Sequence, residues 1–283
     1  MPRVALTPIQ KEAVRLQDPI LFAAITASQA WGWSLLDPWQ LNYLRSNERF
    51  KIVNASRQSG KSSLFALEAY HTAVTNRDAL VLIVAQQRQS DEDIRKARQI
   101  HKAYEGYLQQ RHKGKIDIDL ITDNKTSMEF AHGSRIISLP GNEKVRGYSA
   151  PTLVVVDEAA YLDDEVFASL EPMLEVGKGR LVLGSTPKGS SGFFYHEWKS
   201  ARYQRFEVPW NMCPRISKES IDEKRLLYGD VYVKQEYECE FLEDITSLFT
   251  ESALRASLDD NEDVFTEEMT NINKVLSGDV ELI

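Results

Sequence analysis

Only two cysteines, Cys213 and Cys239, occur in the 283 residues, far apart and without the close pairing of a metal knuckle. That scarcity excludes a disulfide framework and a zinc site, and it suits a reducing compartment. Long apolar runs are missing as well. The stretch "PILFAAITA" is too short to cross a bilayer, and no secretory apolar region opens the chain. No internal repeat is visible. Positive charge is in deficit: 34 Lys and Arg stand against 42 Asp and Glu, a net charge of −8. Such a balance argues against a surface that coats polyanions indiscriminately, while leaving room for a local basic patch. The expectation is a cytoplasmic protein without a membrane partner.

What is present is an ordinary globular composition, 42% hydrophobic and 27% charged, enough for one large domain with a full core. Residues 1–36 read as a helical extension closed by "WGWSLLDPW". From residue 50 on, short β-rich runs alternate with helical patterns. "FKIVNAS", "ALVLIVA", "TLVVVDE" and "RLVLGST" are nearly continuous apolar strands, as a parallel sheet covered on both faces requires. "SMEFA" and "SRIISLP" read as a hairpin. A helix over Lys61 to about Val74 follows the first strand. Ser90 is a plausible N-cap for the next helix, with Asp91, Glu92 and Asp93 in its first turn. Strands alternating with helices give a doubly wound α/β sheet. The domain spans 37–250, with a helical closing segment from about 205 to 250 and Ser220-x-x-Glu223 as a possible capping box. Residues 251–283 are acidic and polar, and read as a linker or tail.

The first strand runs into "NASRQSGKSSL", which nearly matches a phosphate-binding loop. Gly60, Lys61 and Ser62 fit the pattern, while Ala55 takes the place of its first glycine. Alanine can do so if its backbone stays extended. In such a loop successive backbone N–H groups of residues like Ser56, Arg57, Gln58, Ser59 and Ser63 wrap the phosphates. The lysine reaches the terminal ones, and the hydroxyl of Ser62 binds Mg²⁺. The helix that starts beside Gly60 adds its positive end. An incidental Gly-Lys-Ser at a helix start is the bland alternative, and the strand-loop-helix context weighs against it.

About 100 residues later, "LVVVDEAAYL" places Asp157 and Glu158 at the end of another apolar strand. A carboxylate there faces the crevice where ligands bind in such sheets. Asp157 suits Mg²⁺, directly or through water, and Glu158 suits polarisation of an attacking water. A third strand ends in "GSTPKGSSGFFY", where Thr186 can hydrogen-bond the terminal phosphate or its water. Together the three segments point to ATP hydrolysis with Mg²⁺.

In this order, "SRQSGKSS", "VVVDEAAYL" and "GSTPKGSSGFFY" resemble the ATPase domain of phage large terminases, the motors that package viral DNA into a procapsid. The resemblance covers roughly residues 35 to 250. It implies a P-loop NTPase fold of the ASCE, RecA-like kind, with a mostly parallel sheet flanked by helices. Family loops often carry the Arg-Gln pair seen here as Arg57 and Gln58. "LDPWQLNYL" resembles the family's adenine element, in which Gln40 would read the base and Trp39 or Tyr43 would pack nearby. "GNEKVRGYSAP" maps an arginine before a glycine onto Arg146, and "VKQEYECEFLED" resembles the closing helical segment. An activating arginine is then either Arg57 in cis or Arg146 from a neighbouring subunit of a homo-oligomeric ring. Implied partners are double-stranded DNA, a portal or procapsid and a small terminase subunit, in the host cell cytoplasm. Large terminases continue into a nuclease domain. The residues after 250 are too few for one, so DNA cleavage is not expected of this chain. The run from Arg95 to Lys115, with Arg95, Lys96, Arg98, Lys102, Arg111, Lys113 and Lys115 against Glu105 alone, is a solvated helix face or, more sharply, a DNA-tracking surface. Two alternatives stand beside the packaging motor: a helicase-like DNA-dependent ATPase, and a nucleotide-binding scaffold with little turnover.

Overall fold

The apolar runs assemble into a single eight-stranded sheet. A computed structural model describes residues 8–33, 35–113, 118–141, 145 and 147–243. Its strands are β1 (Phe50–Ala55), β2 (Leu80–Ala85), β3 (Leu120–Asn124), β4 (Ser127–Phe130), β5 (Arg135–Pro140), β6 (Leu153–Asp157), β7 (Arg180–Ser185) and β8 (Gln204–Val208). They lie in the order β3-β4-β5-β2-β6-β7-β1-β8. From β5 to β8 every neighbour pair is parallel, whereas β3 and β4 extend the sheet antiparallel.

Period-2 alternation sends the strand side chains to two cores. Val53, Ile83, Val155 and Val182 pack beneath α2 (Pro19–Trp31), α3 (Pro38–Arg45), α4 (Lys61–Thr75) and α5 (Gln87–His112). Ile52, Leu82, Val154 and Leu183 face α6 (Asp164–Gly177) and α7 (Gly192–Lys199) on the other side. Both faces are covered, which is why these strands carry so few polar residues. The helix α1 (Pro8–Gln17) precedes this set, while α8 (Lys218–Tyr228) and α9 (Asp230–Glu236) follow β8.

The chain leaves β1, passes through α4 and enters the sheet again at β2, stepping over β7 and β6. That crossover opens a crevice at the C-terminal ends of β1, β7 and β6. Gly184 on β7 lets α4 settle close: a Cβ there would stand 2.3 Å from the ring of Phe65.

Three sequence expectations need correction. The helix α5 begins at Gln87, so Ser90 lies inside it; its N–H already bonds the Gln86 carbonyl at 3.0 Å. The N-cap of α8 is Ser217, whose hydroxyl accepts from the Ser220 N–H at 3.2 Å, one turn before the expected box. The closing segment is not helical from 205: Gln204–Val208 is the edge strand β8, paired in parallel with β1. Its alternating burial is that of a half-covered edge. Residues 251–283 lie outside the described residues.

Candidate functional site

Where β1 ends, Ala55 is still extended and fully buried, so the strand enters the loop without the positive φ that a glycine would supply. The left-handed positions come later, at Gln58 (φ 60°) and Gly60 (φ 87°). Gly60 has a second reason to lack a side chain: a Cβ there would sit 3.0 Å from Gln40 Nε2 and 3.2 Å from the Trp33 ring. The loop backbone is pinned from outside. The Ser56 N–H donates to the Val208 carbonyl and the Arg57 N–H to the Glu236 carbonyl, both at 2.9 Å. Arg215 clamps the far side, donating to both Asp37 carboxylate oxygens at 2.8 and 2.6 Å and to the Ser59 carbonyl at 3.0 Å. Its guanidinium carbon also lies over the Trp33 ring, 5.6 Å from the centroid. The first-turn amides of α4 have no intrahelical acceptor and, with the helix dipole, form an anion-binding end.

Lys61 Nζ lies 2.5 Å from Asp157 Oδ1. Burial pushes the Asp157 carboxyl up, but the Lys61 charge and hydrogen bonds from Lys61 and Ser62 outweigh it and hold the group below its ordinary range. The other carboxylate oxygen, Oδ2, is buried without a partner. Glu158 follows at φ 54° and ψ 39°, a left-handed conformation that costs a non-glycine residue free energy. It turns the chain out of β6 at once, into a short 3₁₀ turn (Ala159–Tyr161).

These groups line a cleft of about 540 Å³. Ser56, Arg57, Gln58, Ser59, Gly60, Lys61, Ser62, Ser63, Glu158 and Thr186 all border it, as the sequence predicts. Ala55 and Asp157 do not; they sit buried beneath it. Gln40 does not line it either. It is fully buried, its Oε1 accepts the Asp37 N–H at 2.9 Å, and its Nε2 has no partner. Trp39 and Tyr43 are core residues: Tyr43 donates to Glu68 rather than facing the cleft. Arg146 lies outside the described residues.

Sequence reasoning missed four residues of the cleft wall, Gln86, Lys96, Tyr161 and Glu236. Tyr161 donates to Glu236 Oε1 at 3.1 Å and lies 3.3 Å from Thr186 Oγ1. Glu236 in turn sits 3.6 Å from the Arg57 guanidinium. Tyr161 is only three residues beyond Glu158, so its proximity was legible; nothing local marks Glu236 or Arg215. Asp93 was also missed as a member of this region. It is buried, one oxygen accepts from Gln89 at 3.0 Å, and the other has no partner. Burial and the nearby Asp157 charge push its carboxyl well above the ordinary range. Three residues of the basic run of α5 form ion pairs within the chain: Arg95 with Glu92, Arg98 with Asp123 and Arg111 with Glu12. Lys115 lies outside the described residues.

Residues 52–256 match the family model of the T4likevirus-type terminase large subunit, N-terminal region. The terminase large subunit of Thermus virus P23-45 is 25% identical over 254 residues, covering 75% of this chain and 50% of that protein. The chain thus spans about half the length of the curated relatives it matches. The large terminase ATPase domain of Thermus phage P74-26 superposes with a TM-score of 0.64 at 20% identity, over 76% of this chain and 97% of that one. The large terminase of another thermophilic bacteriophage, solved in complex with ATP-gamma-S, does so with a TM-score of 0.56 at 12% identity, over 74% and 53%. At such identities the structural likenesses establish the fold, a P-loop α/β sheet.

Proposed function

This chain belongs to the terminase large subunit family, and on that premise we propose that it is the ATP-hydrolysing motor portion of a complex that drives double-stranded viral DNA into a procapsid. One observation carries the reading: the loop from Ser56 to Ser63, the acidic pair and Thr186, far apart in sequence, border or underlie a single cleft.

Each residue then has a task. The loop amides and the α4 N-terminus bind the phosphate chain. Lys61 exchanges its Asp157 partner for phosphate oxygens when nucleotide enters. Ser62 and Asp157 would hold Mg²⁺, and the partnerless Oδ2 of Asp157 together with the Ser62 hydroxyl form an oxygen donor set that suits it. Bound there, that cation supplies neutralisation of phosphate charge. Glu158 accepts a proton from the attacking water, and Thr186, positioned by Tyr161, bonds the terminal phosphate or that water. Gln40, buried and outside the cleft wall, is better read as support for the loop: its Nε2 lies 3.0 Å from where a Cβ of Gly60 would stand. Arg57, leaning on Glu236, is the candidate activating cation in cis; Arg146, reaching from a neighbouring subunit of a ring, is the candidate in trans. The partners are duplex DNA, a portal or procapsid and a small terminase subunit, and the location is the host cytoplasm. Among the described residues no helix is long and apolar enough to cross a membrane.

The test is phosphate release from ATP by the wild-type chain and by Glu158→Gln, with and without duplex DNA and procapsids. Stimulated turnover in the wild type, and tight ATP binding without turnover in the variant, are expected. Nucleotide binding without any turnover would favour the scaffold reading, and strand separation a helicase.

A further inference from the structure

The cleft contains a third cation besides Lys61 and Arg57, and no motif accounts for it. Lys96 stands on α5, one turn beyond Asp93, and borders the same cavity as the loop, Glu158 and Thr186. Its neighbour Arg95 is 60% exposed and pairs outward with Glu92, whereas the Lys96 side chain is only 16% exposed. Adjacent basic residues of one helix therefore face opposite environments.

Lys96 is also weakly held. Its Nζ lies 3.6 Å from Asp93 Oδ1, outside hydrogen-bond distance, and among the described residues no hydrogen bond engages it. Of the other two cations, Lys61 is held by Asp157 at 2.5 Å. Arg57 stands 3.6 Å from Glu236 and 3.4 Å from the Tyr232 hydroxyl with its side chain 54% exposed, so Lys96 is the loosely held cation that faces inward. An inward-facing ammonium with unengaged donors, beside a loop built for phosphates, is a group awaiting an anion.

Strand order decides which part of a ligand it meets. The loop leaves β1, Thr186 follows β7, Glu158 follows β6, and Lys96 comes from the helix after β2, the next strand along. Gln40 and Trp33 border the loop at Gly60. A nucleotide with its phosphates along the loop and its terminal phosphate beside Lys61 and Glu158 presents that phosphate toward β6 and β2. We propose that Lys96 contacts the terminal phosphate of a nucleoside triphosphate from the β2 side, so that the cleft distinguishes triphosphate from diphosphate. This rests on the nucleotide reading of the cleft and assigns that site a further phosphate-binding residue.

The experiment is equilibrium binding of fluorescent ATP-gamma-S and ADP analogues to wild type, Lys96→Ala, Lys96→Arg and Lys102→Ala, with melting curves for each. Lys102 is exposed on the same helix and serves as the control for its general charge. Loss of one charge-assisted hydrogen bond predicts about tenfold weaker triphosphate binding in Lys96→Ala, with diphosphate binding little changed. Lys96→Arg should recover most of the affinity, and Lys102→Ala should match wild type. An unchanged triphosphate-to-diphosphate ratio in a folded Lys96→Ala, or an equal loss in Lys102→Ala, overturns the inference while leaving the nucleotide reading intact. If the wild type binds neither analogue, both fall together.

Discussion

The two ends of the sheet both bury a lysine against a carboxylate, yet they are finished differently. At the N-terminal ends of β1 and β7, Lys51 lies 2.8 Å and Arg180 2.6 Å from Glu68 Oε1, and Tyr43 donates to the other carboxylate oxygen. Arg180 also donates to Thr72 at 2.8 Å. Neither Lys51 nor Glu68 is left with a buried polar atom lacking a partner. At the C-terminal ends, Lys61 pairs with Asp157, but Asp157 Oδ2, Asp93 Oδ2, Ser185 Oγ, Ser59 Oγ and Gln40 Nε2 are all buried and partnerless. Folding alone satisfies the first cluster. The second keeps several buried polar atoms without a protein partner, and such atoms are costly enough to call for an explanation, of which a bound ligand or ion is one.

Substitutions at the two lysine–carboxylate pairs should therefore separate activity from stability. Lys61→Ala carries the largest expected effect: about 10²–10³-fold or more off ATP turnover, read by phosphate release. It also leaves Asp157 buried without its partner, so some loss of melting temperature in the nucleotide-free protein should accompany it. Near-normal turnover would end the distinction between the two ends.

Glu68→Gln should do the reverse. Breaking a buried pair by removing one partner costs about 3–5 kcal/mol, so urea denaturation should show a loss of that order while turnover per folded molecule persists. The acid limb provides a second reading. Burial raises the Glu68 carboxyl, but the Lys51 and Arg180 charges overcome it and lower the group from 4.5 to about 2. Its contribution is fully present above the ordinary carboxylate value and disappears as pH falls from there through about 2. The melting temperature of Glu68→Gln should accordingly vary less over that window than the wild type's; an identical acid limb would place the stabilisation elsewhere.

Asp93→Asn should give the smallest change and the opposite sign. A carboxyl pushed upward contributes stability below its ordinary value of 3.8, and that contribution is lost as pH rises through the folded value. At neutral pH the amide should raise the melting temperature slightly in the nucleotide-free protein, and the gain should vanish at low pH. A destabilised variant at neutral pH would mean that Asp93 serves the fold as Glu68 does.

Much of this was legible locally. The strand β1, the loop, α4, the acidic pair on β6 and Thr186 after β7 were readable because backbone periodicity, glycine positions and helix-start chemistry act over a few residues. Extended Ala55 in place of a glycine follows the same logic. The edge strand β8 was missed because its polar alternation imitates a surface segment, and the start of α5 because the burial of β2 ends at Ala85, before the better capping residue Ser90.

The sequence by itself determined the fold class, the order of the motifs and the residues of the loop between β1 and α4 that borders the cleft. Tertiary structure alone decided the rest. It buried Gln40 and Tyr43, turned Lys96 inward beside the outward-facing Arg95, and brought Glu236 to Arg57 and Tyr161. It also set Arg215 across Asp37 and Ser59. These contacts join residues tens to hundreds of positions apart, and strand order brings them together. That order comes from the competition of whole helices and strands for two buried faces, which no short window of residues encodes.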